Sequence, residues 1–235
     1  MLKYIDSTKM GKGMHGWLQS HHHFSFANYF NPDNIQFGVL RVVNDDLIKP
    51  GKGFGTHPHN DMEIISYVIE GALSHKDSMG NEQTLTRGGV QYMSAGTGVT
   101  HSEYNNGDVD LRFAQIWIFT DKEGYEPQYG DFQFNWEDRV NKWMPVVTYL
   151  DKPFNEAPIK IHQDVNVYAT YLSAGQSLPF EVAAGRQAYM VLFEGSASVN
   201  DVNLNEKDAV EIVEENVTLT AKEDAHVLVL EMAKA

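Results

Sequence analysis

The chain has 235 residues, 42% hydrophobic and 21% charged, an ordinary globular balance with length for one large domain or two small ones. Lysine and arginine total 18 against 32 aspartates and glutamates, a formal charge of −14, which opposes direct contact with a nucleic-acid backbone. With no cysteine, disulfides, zinc–thiolate sites and iron–sulfur clusters are excluded, and any metal must sit on imidazole and carboxylate.

The first residues, Met1-Leu2-Lys3-Tyr4-Ile5-Asp6, hold no apolar stretch before a small-residue cleavage site, so no signal peptide is expected. No apolar run approaches the roughly 20 residues that span a bilayer. A cytoplasmic location without membrane contact is the default expectation. His21-His22-His23 follows; consecutive strand residues alternate faces, so only two of these rings can point together. The segment is read as structural, packing near a barrel.

Turn signals then recur at short intervals: Asn44-Asp45-Asp46, Gly51-Lys52-Gly53, Met79-Gly80-Asn81, Arg87-Gly88-Gly89 and Asn105-Asn106-Gly107-Asp108. Between them lie β-rich runs such as 64–69 and 111–118. Short strands at this spacing predict a sandwich or barrel. Helical periodicity is brief and weak, confined to 135–143.

The run Val68-Ile69-Glu70-Gly71-Ala72-Leu73-Ser74 is echoed by Leu192-Phe193-Glu194-Gly195-Ser196-Ala197-Ser198. The echo predicts a duplicated β-barrel, with Glu-Gly as a tight turn between apolar strands. The halves are placed at 1–125 and 126–235, joined through the stretch 123–145.

His57-Pro58-His59 puts two imidazoles at i and i+2, which leave the same face of an extended strand. Pro58 pushes the preceding residue toward extended backbone, and glycines at 51, 53 and 55 permit a close approach. His101-Ser102-Glu103 repeats the spacing with imidazole and carboxylate behind the glycine-containing run 94–100. Two strands offering two ligands each make a four-point site: His57, His59, His101 and Glu103. Three nitrogens and one oxygen with open positions suit one divalent transition metal, iron(II) first, with manganese, nickel, cobalt or copper as alternatives.

These residues carry a resemblance. Gly51-x5-His57-x-His59-x3-Glu63, with the Gly71 turn, resembles the first cupin motif, and the run 89–101 the second, with Gly96 where a proline is usual. More narrowly, His22-His23-Phe24-Ser25-Phe26-Ala27, Gly53-Phe54-Gly55-Thr56-His57-Pro58-His59, the run 93–103 and Gln115-Ile116-Trp117 resemble the pirin family, especially its shorter bacterial members. The second half matches only in general pattern. The resemblance implies an all-β bicupin, two tandem double-stranded β-helix barrels, whose N-terminal barrel holds iron through His57, His59, His101 and Glu103. It places Glu63 near the metal ligands, at the position where many other cupins put a metal carboxylate. It further implies a quercetin 2,3-dioxygenase that opens a flavonol ring with O2 and releases CO, with Glu103 as catalytic base. The alternative is a non-enzymatic, redox-sensing regulator acting through a protein partner, and a third reading is another small-molecule cupin activity. A monomer is expected, because the duplication mimics a cupin dimer.

At an offset of 124 residues the four ligands fall on Glu181, Ala183, Ala225 and Val227, so no metal set is expected in the second barrel. His226 stands alone there and is read as surface. His75 is placed either at the mouth of the site or in solvent. Phe54, Met62, Met93, Phe113 and Trp117 are read as pocket wall or core, and Gln115 as a weak pocket candidate.

Overall fold

The computed structural model describes residues 1–151 and 157–234. It is built almost wholly of strands: β1 (Leu2–Ile5), β2 (Gly11–Met14), β3 (Leu18–His22), β4 (Leu40–Ile48), β5 (Lys52–His59), β6 (Met62–Glu70), β7 (Ala72–Asp77), β8 (Glu82–Thr86), β9 (Gly89–Ser94), β10 (Val99–Asn105), β11 (Leu111–Phe119) and β12 (Gln128–Gln133). The second half continues with β13 (Met144–Tyr149), β14 (Ile159–Ile161), β15 (Val165–Leu172), β16 (Ser177–Phe180), β17 (Arg186–Glu194), β18 (Ala197–Val199), β19 (Val202–Leu204), β20 (Ala209–Val213), β21 (Val217–Ala221) and β22 (Ala225–Ala233). Among the described residues no helix is long and apolar enough to cross a membrane. The helical expectation over 135–143 reduces to one 3-10 turn, Trp136–Arg139.

Two compact units emerge, Met10–Phe134 and Asn135–Ala235 joined by Met1–Lys9. The sequence put the division at 125/126. Strand pairing moves it: β12 runs antiparallel to β9, and β1 pairs with β20, Leu2 opposite Ile212.

In the first unit a seven-stranded sheet, β12-β9-β6-β11-β4-β3-β2, faces a four-stranded one, β5-β10-β7-β8. Alternation along each strand gives each sheet an inward face. At one end the space between them is filled by Leu18, Ile48, Val68, Leu111 and Phe113 from the larger sheet and Leu73 and Leu85 from the smaller. Beside this core a cavity opens, lined by aromatic and polar side chains together.

The second unit repeats this arrangement, β1-β20-β17-β22-β15-β13-β14 and β16-β21-β18-β19, except that its edge pair β13–β14 is parallel where β3–β2 is antiparallel and that N-terminal β1 fills the place of β12. The echo therefore marks a true duplication. Gly71 and Gly195 both have positive φ, 77° and 84°, at the turns β6–β7 and β17–β18. Each lies against the chain entering the equivalent strand, Asp110 before β11 and Asp224 before β22. A Cβ on Gly195 would stand 1.9 Å from the Asp224 carbonyl oxygen. Gly195→Ala is therefore expected to destabilise the protein by about 3 kcal/mol, through clash and a left-handed backbone combined. Urea unfolding measures this; a loss below about 1 kcal/mol would show that the turn relaxes freely.

Shorter connections spoil the fixed offset of 124. By register, His101 opposite His57 corresponds to Val217 opposite Phe180, Glu103 opposite His75 corresponds to Leu219 opposite Val199, and His59 corresponds to Val182. These side chains belong to the second unit's apolar core. What fills the ligand positions there is hydrocarbon.

Asn44-Asp45-Asp46 is not a turn but the middle of β4. Asp45 accepts two hydrogen bonds from Arg112 of neighbouring β11, at 2.8 and 2.6 Å, while Asn44 and Asp46 face the hollow of the barrel. A buried ion pair on one face and a polar cavity on the other override the local turn preference.

Candidate metal centre and cavity

β5 and β10 are neighbours in the smaller sheet, with His57 directly opposite His101. The register shifts between His101 and Glu103, because β5 carries one extra residue in the 55–56 region. This bulge lets Phe54, three residues before His57, line the same cavity. Gly53 is required beside it: a Cβ there would lie 2.2 Å from the Glu103 carbonyl oxygen. The close approach expected of the glycine-rich run is thus realised at this residue.

The ligand atoms of His57, His59 and His101 lie within 4.8 Å of one another. Nε2 of His57 and of His101 are 3.1 Å apart. His57 Nδ1 lies 2.8 Å from the Gly55 carbonyl oxygen, so it carries the proton and leaves Nε2 with a free lone pair. Burial, reinforced by the neighbouring histidines, lowers the His59 pKa to about 4 and the His101 pKa to about 3. Both rings are neutral at pH 7, the form that donates to a metal. Nitrogens bound to one cation at about 2.1 Å stand about 3 Å apart when adjacent, which is the spacing of the His57 and His101 nitrogens. The donor set fits a divalent metal.

Glu103 is fully buried on the same strand. Its Oε1 accepts from Ser66 Oγ at 2.7 Å and Gln91 Nε2 at 2.6 Å, and its Oε2 from Gln115 Nε2 at 2.6 Å. Three donors from β6, β9 and β11 of the opposite sheet thereby fix the carboxylate. Its ligand atom groups with His101 and His75 in a second, overlapping cluster. Glu63 lies elsewhere: on β6 it faces opposite to Ser66, buried, accepting from Ser94 Oγ at 3.2 Å.

His75 is neither at the mouth nor in solvent. It is 2% exposed, its Nε2 meets Asp77 Oδ2 at 3.1 Å, and its ring stacks on Tyr129 at 4.7 Å. His226, expected at a surface, is buried too, with Nδ1 2.8 Å from Glu194 Oε2 and Trp136 across its ring. In both cases a carboxylate contributed from nearby makes burial tolerable.

A cavity of about 860 Å³ opens beside His57 and Glu103. Trp17, Phe54 and Trp117 give it aromatic walls, and Gln115 projects into it. Met62 and Met93 pack instead in a small core with Ile64, and Phe113 in the main core. The histidine segment is structural, as expected, but it is a strand of the sheet itself and sends His22 into the cavity. Sequence reasoning missed Ser20, Asn44, Asp46, Ser66 and Gln91.

The family model described as Pirin matches residues 5–118, and that of the quercetinase C-terminal cupin domain matches residues 153–232. A pirin-like protein of Caulobacter vibrioides is 41% identical over 96% of this chain and 97% of its own length. The chain belongs to the pirin family. A quercetin 2,3-dioxygenase of Escherichia coli is 39% identical over 99% of both chains. The crystal structure of the bacterial pirin YhhW from Escherichia coli in complex with nickel(II) matches with a TM-score of 0.92 at 37% identity, covering 100% of both chains. Both units of this pirin are cupin barrels, and the first carries a histidine–glutamate group able to hold a metal.

Within that barrel Asp46 is the electrostatic anomaly. Burial, assisted by Asp45 and Glu103 and opposed by the Ser20 hydroxyl, raises its pKa to about 7. The folded chain therefore keeps this proton up to about pH 7, whereas the unfolded chain releases it near pH 4. Stability falls as pH rises between those values, and the full loss, on the order of 4 kcal/mol, is present above pH 7. Asp46→Asn stays neutral throughout. Its melting temperature is expected to exceed wild type by several degrees at pH 8 and to converge toward it near pH 4; a pH-independent difference would contradict the assignment.

Proposed function

We propose that this protein is a metal-dependent dioxygenase of flavonols, quercetin being the substrate class, with His57, His59, His101 and Glu103 holding one divalent metal, iron(II) by preference. The observation that carries the reading is a three-histidine cluster and a clamped carboxylate on the wall of an aromatic-lined cavity large enough for a flat three-ring molecule. The names borne by the Escherichia coli relative and the second family model support it.

When bound, the metal supplies a Lewis acid that acidifies a chelating hydroxyl and brings substrate and dioxygen to one point. The chain supplies the rest. Trp17, Phe54 and Trp117 exclude water and hold the aromatic plane. Glu103 takes the 3-hydroxyl proton of the flavonol, its carboxylate held by Ser66, Gln91 and Gln115 against rotation. The deprotonated, electron-rich ring then reacts with O2, the central ring opens, and carbon monoxide leaves.

The test is anaerobic reconstitution with iron(II), manganese(II) or nickel(II), followed by oxygen uptake on adding quercetin. Uptake that depends on metal, exceeds autoxidation and yields carbon monoxide is expected. Stoichiometric metal binding with uptake at the background rate would overturn the dioxygenase reading.

A further inference from the structure

The wall of the cavity formed by β3 and β4 carries four polar groups in two cross-strand pairs, Ser20 opposite Asp46 and His22 opposite Asn44. All four residues are at least nine-tenths buried, at 2%, 2%, 4% and 2% exposure in that order. Asp46 Oδ1, His22 Nδ1 and Asn44 Oδ1 each have no hydrogen-bond partner among the described residues, and the Ser20 hydroxyl faces the Asp46 carboxyl. The remainder of the cavity's polar lining contrasts with them, since Glu103 and Gln115 satisfy one another. A fold does not leave three neighbouring buried polar atoms unpaired by chance, because each costs desolvation without return.

We propose that Ser20, His22, Asn44 and Asp46 form a recognition strip for ligand hydroxyl groups on the β3–β4 wall of the cavity. The proposal rests on the flavonol reading and deepens it: the strip selects polyhydroxylated aromatic substrates over bare ones. The chemistry is set by the atoms offered. Asn44 Oδ1 is an acceptor, Ser20 Oγ and the protonated Asp46 carboxyl each accept and donate, and burial keeps the His22 ring neutral, with one nitrogen free to accept. Such a row calls for hydroxyl groups, which both donate and accept. Buried polar atoms of this kind call for hydrogen bonds from whatever occupies the cavity, which a phenolic hydroxyl supplies and an aryl C–H does not.

The experiment is an anaerobic fluorescence titration, read through Trp17 and Trp117 in the cavity wall, with two probes. Quercetin carries hydroxyls beyond its chelating edge; 3-hydroxyflavone carries only the chelating pair. Wild type, Asn44→Leu and Asp46→Leu are compared, with thermal melting of the ligand-free proteins alongside. Wild type is expected to prefer quercetin. In each variant quercetin affinity falls about tenfold or more while 3-hydroxyflavone changes less than about threefold. Melting temperatures hold or rise, since an apolar group replaces an unpaired polar one.

Variants that keep the wild-type preference, or a wild type with no preference, would overturn the strip and leave the flavonol reading standing. A collapse in melting temperature of both variants would also overturn it, by showing that the polar atoms serve the fold. If neither probe binds wild type, the flavonol reading itself fails and the strip's assignment with it.

Discussion

Replacing His101 by alanine is expected to lower metal affinity on the order of 100-fold or more and to bring quercetin-dependent oxygen uptake to the background rate. His101 is the ring shared by both ligand groups in the first barrel. The centroids of His57, His59 and His75 surround it at 4.5, 5.0 and 5.4 Å. Without it neither cluster keeps three donors. The fold itself should survive, because the lost ring's Nδ1 is buried with no hydrogen-bond partner and its Nε2 meets His57, another member of the cluster. Wild type gains melting temperature when metal is added, and His101→Ala should show no such gain. Metal analysis after dialysis reads the same point, and a variant that retains stoichiometric metal would contradict the assignment. His59→Ala and His75→Ala then separate the clusters. The first is expected to lose metal and the second to keep it.

The second large effect is expected at Glu103. Glu103→Gln should lower turnover roughly 100-fold or more, because an amide accepts no proton from the substrate. Its structural cost arises separately. Oε1 and Oε2 both face amide donors at 2.6 Å, from Gln91 and Gln115. A glutamine in that place sets its own NH2 against one of them, leaving a buried clash of donors worth about 1–3 kcal/mol. Gln115 can relieve part of this by turning its amide. Glu103→Asp keeps the charge, and should recover part of the turnover where Gln does not. Steady-state oxygen uptake decides: a Gln variant above about a tenth of wild-type activity would remove Glu103 from the proton transfer.

Much of this site is legible in the sequence because strand geometry is local. Two residues at i and i+2 share a face, so His57-x-His59 and His101-x-Glu103 announce themselves, and the glycines beside them announce a close backbone approach that Gly53 makes. The duplication is legible for a similar reason, since Gly71 and Gly195 meet the same backbone demand in the same turn. The groups that hold Glu103 are not legible. Ser66, Gln91 and Gln115 come from three strands and meet only at the carboxylate. Asn44-Asp45-Asp46 misleads outright, because its composition favours a turn and only Arg112, 67 residues away from Asp45, and the cavity account for it as strand. His75 and His226 were placed too far out for want of their carboxylate partners. The second barrel shows the limit of a fixed offset: the residues standing where the first barrel has its histidines and Glu103, namely Phe180, Val182, Val217 and Leu219, follow only from pairing.

The most direct test of the account is anomalous diffraction from crystals of the protein reconstituted with a single divalent metal. One peak per chain is predicted in the first barrel, within bonding distance of His57, His59, His101 and Glu103. A peak at His75, His101 and Glu103 without His57 and His59, or one in the second barrel, would contradict it.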